Sequence, residues 1–348
     1  MTFIRLLAVV VLWPIAAHSE EPKPLFLEAA PLKAVLSAPM RQLNKQKRSD
    51  ERMFLPGHWS YVNSEGVTNR LDISVRTRGV FRRANCRQPP LQLNFKKKAV
   101  RKTLFAGQDR LKLVVPCARG DAYQQQLYLE FLAYQLYDVV SDGPAFSTRL
   151  LDLSYVDTEK KTKPRSLPAF VIEDHGDLAK RHGYKVPQIR DIRVSQLAPD
   201  QTARLELFQY MIGNTDYSTV APGIKGECCH NVKLLRDADD ERSYTPVPYD
   251  FDSAGIVNAP YARPSEKLPI TSVRKRLYIG RCKDPVHLES AAAHFLARQA
   301  NVFAAVENAA GLTDKNRKKA RVYLKRFFDI IADEKRRQLH LHKACREK

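Results

Sequence analysis

Met211-Ile-Gly-Asn-Thr-Asp216, Asn231-Val-Lys-Leu-Leu235 and Tyr244-Thr-Pro-Val-Pro-Tyr-Asp250-Phe-Asp252 decide the reading of this chain. The second segment reads as a short strand, and the polar Arg236–Ser243 stretch as its loop. The third reads as the returning strand, whose prolines place it at a ladder edge. An antiparallel return brings the far ends of the two strands together, so Asn231 is expected beside Asp250. One amide oxygen and one carboxylate can then hold a hard cation that bridges phosphates. Asp216 closes the helix that precedes the hairpin. Capping and turn formation are the ordinary uses of such residues taken singly. Their order around one hairpin points to a phosphate or metal site.

Gly213-Asn-Thr-Asp216 with Tyr249-Asp250 resembles the Asn-Thr-Asp and Tyr-Asp motifs of HipA-like kinases. Tyr249-Asp-Phe-Asp252 resembles the Trp-Asp-x-Asp segment of the secreted CotH-like (spore-coat-protein-H) kinases, the better match. Upstream, Arg76-Thr-Arg-Gly79, a later strand, the helix from Asp121 and Phe170-Val-Ile-Glu173 follow in the CotH-like order. The resemblance implies a two-lobed protein-kinase-like α+β fold, with a β-rich N-terminal lobe and a mostly helical C-terminal lobe. It also implies transfer of the ATP γ-phosphoryl group to a hydroxyl, with Mg²⁺ or Mn²⁺ as cofactor. Asp216 is then the residue that orients or deprotonates the acceptor, Asn231 and Asp250 hold the metal, and Asp252 supplies a second metal contact. The sequence departs from the kinase pattern in one respect. Asn231 falls fifteen positions after Asp216 where the pattern has it five positions after, a longer loop that costs only about 1 kcal/mol of extra closure entropy.

Kinases also pair a strand lysine with a glutamate on the following helix. Lys112 on the strand Leu111–Val115 and Glu130 in the apolar run Leu127-Tyr-Leu-Glu-Phe-Leu132 fit that order, since a buried acid needs a cation. Lys96, Lys97 and Lys98 are alternatives for the lysine, and Glu130 facing solvent is an alternative for the acid. Glu173, with Asp174, is expected at the lobe junction where backbone groups hold an adenine; capping of the next helix is the alternative for these side chains. No Walker A, Gly-x-Gly-x-x-Gly, Gly-x-Ser-x-Gly or His-Glu-x-x-His sequence occurs, so the reactions those motifs serve have no support here.

Met1-Thr-Phe-Ile-Arg5, the apolar run Leu6–Ala17 and Ala17-His-Ser19 read as a secretory signal peptide spanning 1–19, with the mature chain starting at Glu20. Residues 20–50, rich in Pro and Lys, are expected as an extended lead-in, 51–174 as the β-rich part with one helix, and 175–348 as the helical part carrying the hairpin. No later stretch is apolar enough to span a membrane, so a periplasmic or extracellular protein is expected. Six cysteines in such a chain point to disulfides, with Cys86–Cys117 and a bridge from Cys228 or Cys229 to Cys282 as the preferred pairs. Cys228-Cys229-His230 is a poor zinc site, because adjacent ligands cannot readily converge on one tetrahedral ion.

The formal net charge of +20 creates a field that attracts anions. The basic residues are not interleaved with aromatics and form no nucleic-acid motif. Anionic envelope polymers or acidic proteins are therefore the expected partners besides ATP, with no specific nucleic acid. Two other functions remain open at the level of sequence: a non-catalytic basic envelope protein that binds an anionic partner, and a metal-dependent phosphodiester hydrolase using the same Asp cluster.

Overall fold

Leu32-Lys-Ala-Val-Leu-Ser-Ala38 alternates buried and less buried residues along its length, and this strand determines the architecture. The computed structural model describes residues 21–49, 51–160, 163–190, 192–221, 228–237, 240 and 243–347. The expected signal peptide lies outside them, as do the centre of the Asp216–Asn231 insertion and part of the 236–243 loop. Along the chain come β1 (Leu32–Ala38), α1 (Met40–Lys45), β2 (Leu55–Val62), β3 (Thr68–Thr77), α2 (Phe81–Asn85), β4 (Leu91–Phe95) and β5 (Arg110–Val114). After these follow α3 (Asp121–Ser141), β6 (Thr148–Asp157), β7 (Arg165–Ile172), α4 (His175–Arg181), α5 (Pro199–Ile212), β8 (Val232–Arg236) and β9 (Tyr244–Pro248). The chain ends in α6 (Pro285–Ala297), α7 (Gln299–Glu307), α8 (Asp314–Ile331) and the short α9 (Glu334–Arg337).

Seven strands close into a barrel in the order β1-β2-β3-β4-β5-β7-β6. β1 runs antiparallel to β2 and parallel to β6, with Leu32 opposite Leu151 and Ala38 opposite Asp157. This overturns the expected two-lobed kinase-like fold. The stretch expected as a lead-in supplies the strand that seals the sheet, and the sheet is a closed mixed barrel. Closure removes both sheet edges. Gly57 lets β2 approach β1: a Cβ there would lie 2.9 Å from the Ser37 carbonyl oxygen.

The barrel interior is filled by alternating inward residues of each strand around an aromatic plug. Trp59, Phe95 and Phe105 are fully buried, and Phe105 stacks on Phe95 at 5.0 Å and meets Trp59 edge-on at 6.0 Å. A second core joins α3 to β7, α5 and the C-terminal helices. α3 is buried on most of its circumference because it lies between the barrel and the helical layer. Tyr134 on α3 contacts Phe170 of β7 at 5.7 Å and Phe251, just past β9, at 4.6 Å. Those contacts fix the hairpin β8–β9 against the barrel.

Disulfides join Cys86 to Cys117, Cys228 to Cys229 and Cys282 to Cys345. The first pair is the expected one. The expected bridge from the vicinal cysteines to Cys282 is not formed, because Cys282 lies beside the C-terminal segment, where the Cys282 N–H donates to the Arg346 carbonyl. Among the described residues no helix is long and apolar enough to cross a membrane. Disulfides together with this absence are compatible with an exported protein.

Candidate functional site around Asp250

The hairpin forms as its pattern predicts, with Val232 opposite Pro248 and Arg236 opposite Tyr244. One step beyond the ladder, the Tyr249 N–H donates to the Asn231 carbonyl at 3.1 Å. This places Asn231 next to Asp250 at the open end. Both residues have left-handed backbones, φ 51° at Asn231 and φ 65° at Asp250. Asn and Asp tolerate that region better than most residues, and local backbone strain concentrates at binding and catalytic sites.

Asp216 arrives from the other side. α5 ends at Gly213, whose φ is 68°. A Cβ there would collide with the Tyr323 hydroxyl at 2.0 Å, so the position requires glycine. Asn214, buried in the next turn, donates to Gln209 Oε1 and accepts the Asp216 N–H at 3.0 Å. Asp216 Oδ1 then meets His230 Nε2 at 2.8 Å, and Asn231 Nδ2 donates to Asp216 Oδ2 at 3.1 Å and to its carbonyl at 2.7 Å. The fifteen-residue separation therefore does not keep Asp216 and Asn231 apart. The hydrogen bond to Asp216 raises the His230 pKa above the ordinary imidazole value, against the effect of burial.

Asp250 is the electrostatic centre of the group. Its N–H donates to the Tyr134 hydroxyl at 2.9 Å. Its charge acts on Arg82, Lys112, Glu130, His230 and Asp252. Asp252 accepts from the Tyr261 hydroxyl at 3.0 Å and lies 3.7 Å from Arg82 Nε. Burial, and then the neighbouring Asp250, raise its pKa. Asp252 is thus engaged with Tyr261 and Arg82.

The expected Lys112–Glu130 pair does not form. Glu130 is bound by Arg82, whose Nη1 lies 3.0 Å from Oε2, while Arg82 Nη2 donates to the Val115 carbonyl at 2.7 Å. Arg82 comes from the short helix α2, which the sequence does not place near α3. Burial opposes the Arg82 charge, but Glu130, Asp252 and Asp250 outweigh it and hold the guanidinium protonated.

Lys112 on β5 has a different setting. Its Nζ is buried without a hydrogen-bond partner, 4.6 Å from the Tyr249 ring centre and 5.4 Å from that of Phe146. Burial, with Arg78 and Lys233 nearby, lowers its pKa to about 7, while Asp174 and Asp250 pull the other way. Burial and the same lysines push His175 down to about 4, so it is neutral.

Glu173 is not part of this group. It is buried, ion-paired with Arg181 at 2.9 Å, and accepts the Ser147 N–H at 3.0 Å. Its predicted adenine-side position is taken up by structural contacts. Asp174 caps α4 by accepting the Gly176 N–H at 2.9 Å.

Among the described residues no three His, Cys, Asp or Glu side chains surround a common point that would suit a metal. The arrangement fits a narrower use. Magnesium is commonly held by one or two protein oxygens, with the remaining positions filled by water and phosphate. Asn231 and Asp250, adjacent at the open end of the hairpin, are the residues that could hold such an ion, and Lys112 is a buried cation on which the Asp250 charge acts. Sequence reasoning missed Arg82, Tyr134, Tyr261 and His230. Only His230 carried a signal, as the neighbour of the vicinal cysteines.

No family model matches this chain, and neither a curated protein nor a solved structure matches it.

Proposed function

We propose that the chain transfers a phosphoryl group from a nucleoside triphosphate, ATP in the simplest case, to a hydroxyl on a protein or envelope polymer. The observation that carries this reading is Lys112, a buried and hydrogen-bond-free cation electrostatically coupled to Asp250, whose strained backbone sits beside that of Asn231. The proposal rests on these side chains and not on a kinase-like fold.

In this reading Asn231 and Asp250 hold Mg²⁺, which when bound neutralises phosphate charge as the leaving group departs. Lys112 holds phosphate oxygens, and binding of that anion restores its proton. Tyr249 and Phe146 keep water from its ammonium. Asp216 accepts the proton of the acceptor hydroxyl as its oxygen bonds to phosphorus and the bond to the leaving phosphate oxygen breaks. His230 and Asn231 hold the Asp216 carboxylate in position. Positioning and charge neutralisation suffice for this chemistry, without a covalent enzyme intermediate.

Calorimetric titration of the oxidised protein with ATP, with and without Mg²⁺, tests the site. Asp250→Ala should abolish metal-dependent binding, because one of two protein ligands to a hard cation is lost. Asp216→Asn should bind ATP within about threefold of wild type while losing at least about a hundredfold in transfer to a hydroxyl acceptor. Unchanged metal-dependent affinity in a folded Asp250→Ala protein would remove the proposal.

A further inference from the structure

Two adjoining cavities, of about 950 and 470 Å³, are lined by no residue of the Asp250 group. They share Met40, Asn44, Arg87 and Asp157, and so form one continuous cleft at the side of the barrel. Arg41, Lys45, Lys47, Arg48 and Lys160 line its larger part, and Arg119, Lys163 and Arg165 its smaller part. Asp157 is the acid of its wall, and it already accepts the Met40 and Glu159 N–H groups at 3.3 and 3.0 Å. Among the described residues none of these cations is ion-paired with a carboxylate.

The cleft is held together against its own charge. The Cys86–Cys117 disulfide fixes Arg87 and Arg119 on facing segments, and the Gln88 N–H donates to the Cys117 carbonyl at 3.1 Å. Arg165 on β7 completes the triad. Its charge is disfavoured by burial, then by Arg119 and Arg87. Arg83 donates to the carbonyls of Gln46, Lys47 and Ser49, which pins the larger part's basic loop to α2. A covalent crosslink that gathers like charges around a cavity is costly unless an anion fills it.

The wall is nearly all donors. Asp157 is engaged with backbone amides, and the Gln88 amide, oriented to satisfy its neighbours, accepts from Arg165. A ligand that is nearly all acceptors matches such a wall, and arginine forks match phosphate oxygens two at a time. The smaller part alone has the volume of about fifteen waters, more than a lone phosphate requires. The shortage of aromatic faces beyond Tyr155 speaks against stacked bases, and the shortage of free acceptors speaks against hydroxyl-rich glycans.

We propose that this cleft binds a linear chain of linked phosphates, a polyanion without bases. It is a second site, independent of phosphoryl transfer. The chain is either inorganic polyphosphate or the phosphodiester backbone of an envelope polymer, two sources of the same chemistry.

Titration of the full oxidised protein with long-chain inorganic polyphosphate at several salt concentrations tests this, run beside a glycerol-phosphodiester polymer, orthophosphate, a polyuronate and single-stranded DNA. Polyphosphate affinity should fall linearly with salt on logarithmic axes. Arg87→Ser and Arg165→Ser should each weaken it about tenfold and flatten the salt slope by about one. Lys163→Glu, at an exposed position, should weaken it more than either. Asp250→Ala should leave it unchanged. Tighter binding of the phosphodiester polymer than of polyphosphate, with the same dependence on Arg87, assigns the source and upholds the site. Equal binding of the polyuronate or of DNA overturns the proposal, as does competition by orthophosphate at equal phosphate concentration. Polyphosphate affinity that is insensitive to Arg87, Lys163 and Arg165 also overturns it.

Discussion

Lys112 shows the conflict between stability and function most directly. Its folded pKa, lowered to about 7 mainly by burial, means that the unfolded chain binds more protons than the folded one between about 7 and the ordinary lysine value of 10.5. Stability from this group therefore rises with pH across that window. Lys112→Met should raise the melting temperature at pH 6, and the advantage should shrink through pH 7 to 10.5 and vanish above it. ATP should bind wild type with uptake of a proton near pH 8, read from calorimetry in buffers of different ionisation enthalpy. A variant less stable than wild type at pH 6 would contradict the burial of an unpaired ammonium. Arg82 makes the opposite case. It is the counter-ion that Glu130 requires, so Arg82→Met leaves a buried carboxylate unpaired and should cost about 3–5 kcal/mol in denaturant unfolding. A cost below about 1 kcal/mol would mean that the Glu130 charge is satisfied elsewhere.

At the level of elements, the hairpin was legible because strand, polar loop and strand follow one another locally, and an antiparallel return fixes which ends meet. β5 and the start of α3 lie within a residue of the strand Leu111–Val115 and of the helix expected from Asp121. The barrel was not legible. β1 carries a lysine and a serine among its apolar residues and follows a Pro-rich stretch, and its closing partner β6 lies more than a hundred residues away, in a parallel pairing without a local signal. β2 begins with Leu55-Pro-Gly57, a sequence that argues against a strand unless the close approach to β1 is already known. The left-handed conformations of Asn231 and Asp250 and the Arg82–Glu130 pair depend on tertiary contacts in the same way. The sequence brought Asp216, Asn231 and Asp250 to one end of the hairpin, but it gave no sign of Arg82, Tyr134 or Tyr261 and led to a Lys112–Glu130 pair that does not form. Removal of residues 21–49 distinguishes the two architectures. A lead-in could be lost with little effect, whereas losing β1 opens β2 and β6 as unpaired edges and exposes Trp59 and its neighbours. The truncated protein should aggregate or lose cooperative unfolding. A soluble form melting within a few degrees of the full chain would mean that β1 does not seal the barrel.

Over the whole molecule, a charge of +20 works against compactness, and covalent crosslinks offset part of that. Their effects should differ with the length of chain each one closes. Cys86–Cys117 spans 31 residues and Cys282–Cys345 spans 63, so chain entropy assigns each about 4 kcal/mol. Cys228–Cys229 joins neighbours and closes no loop of consequence. Paired Cys→Ser replacement of either long bridge should lower the melting temperature by several degrees in scanning calorimetry, while Cys228→Ser with Cys229→Ser should move it by about 1 °C or less. The two long bridges separate further in high salt. Cys86–Cys117 restrains the arginine-lined cleft, and screening of exposed charges at about 1 M salt shortens their reach to about 3 Å. Salt should therefore recover more of the stability lost with that bridge than with Cys282–Cys345, whose flanking Arg281, Lys283 and Arg346 are accompanied by the buried Glu206 carboxylate, ion-paired with Lys283. Equal recovery for both would show that the first bridge carries no electrostatic load, and a vicinal replacement as costly as either long one would show that loop closure is not how these disulfides stabilise the fold.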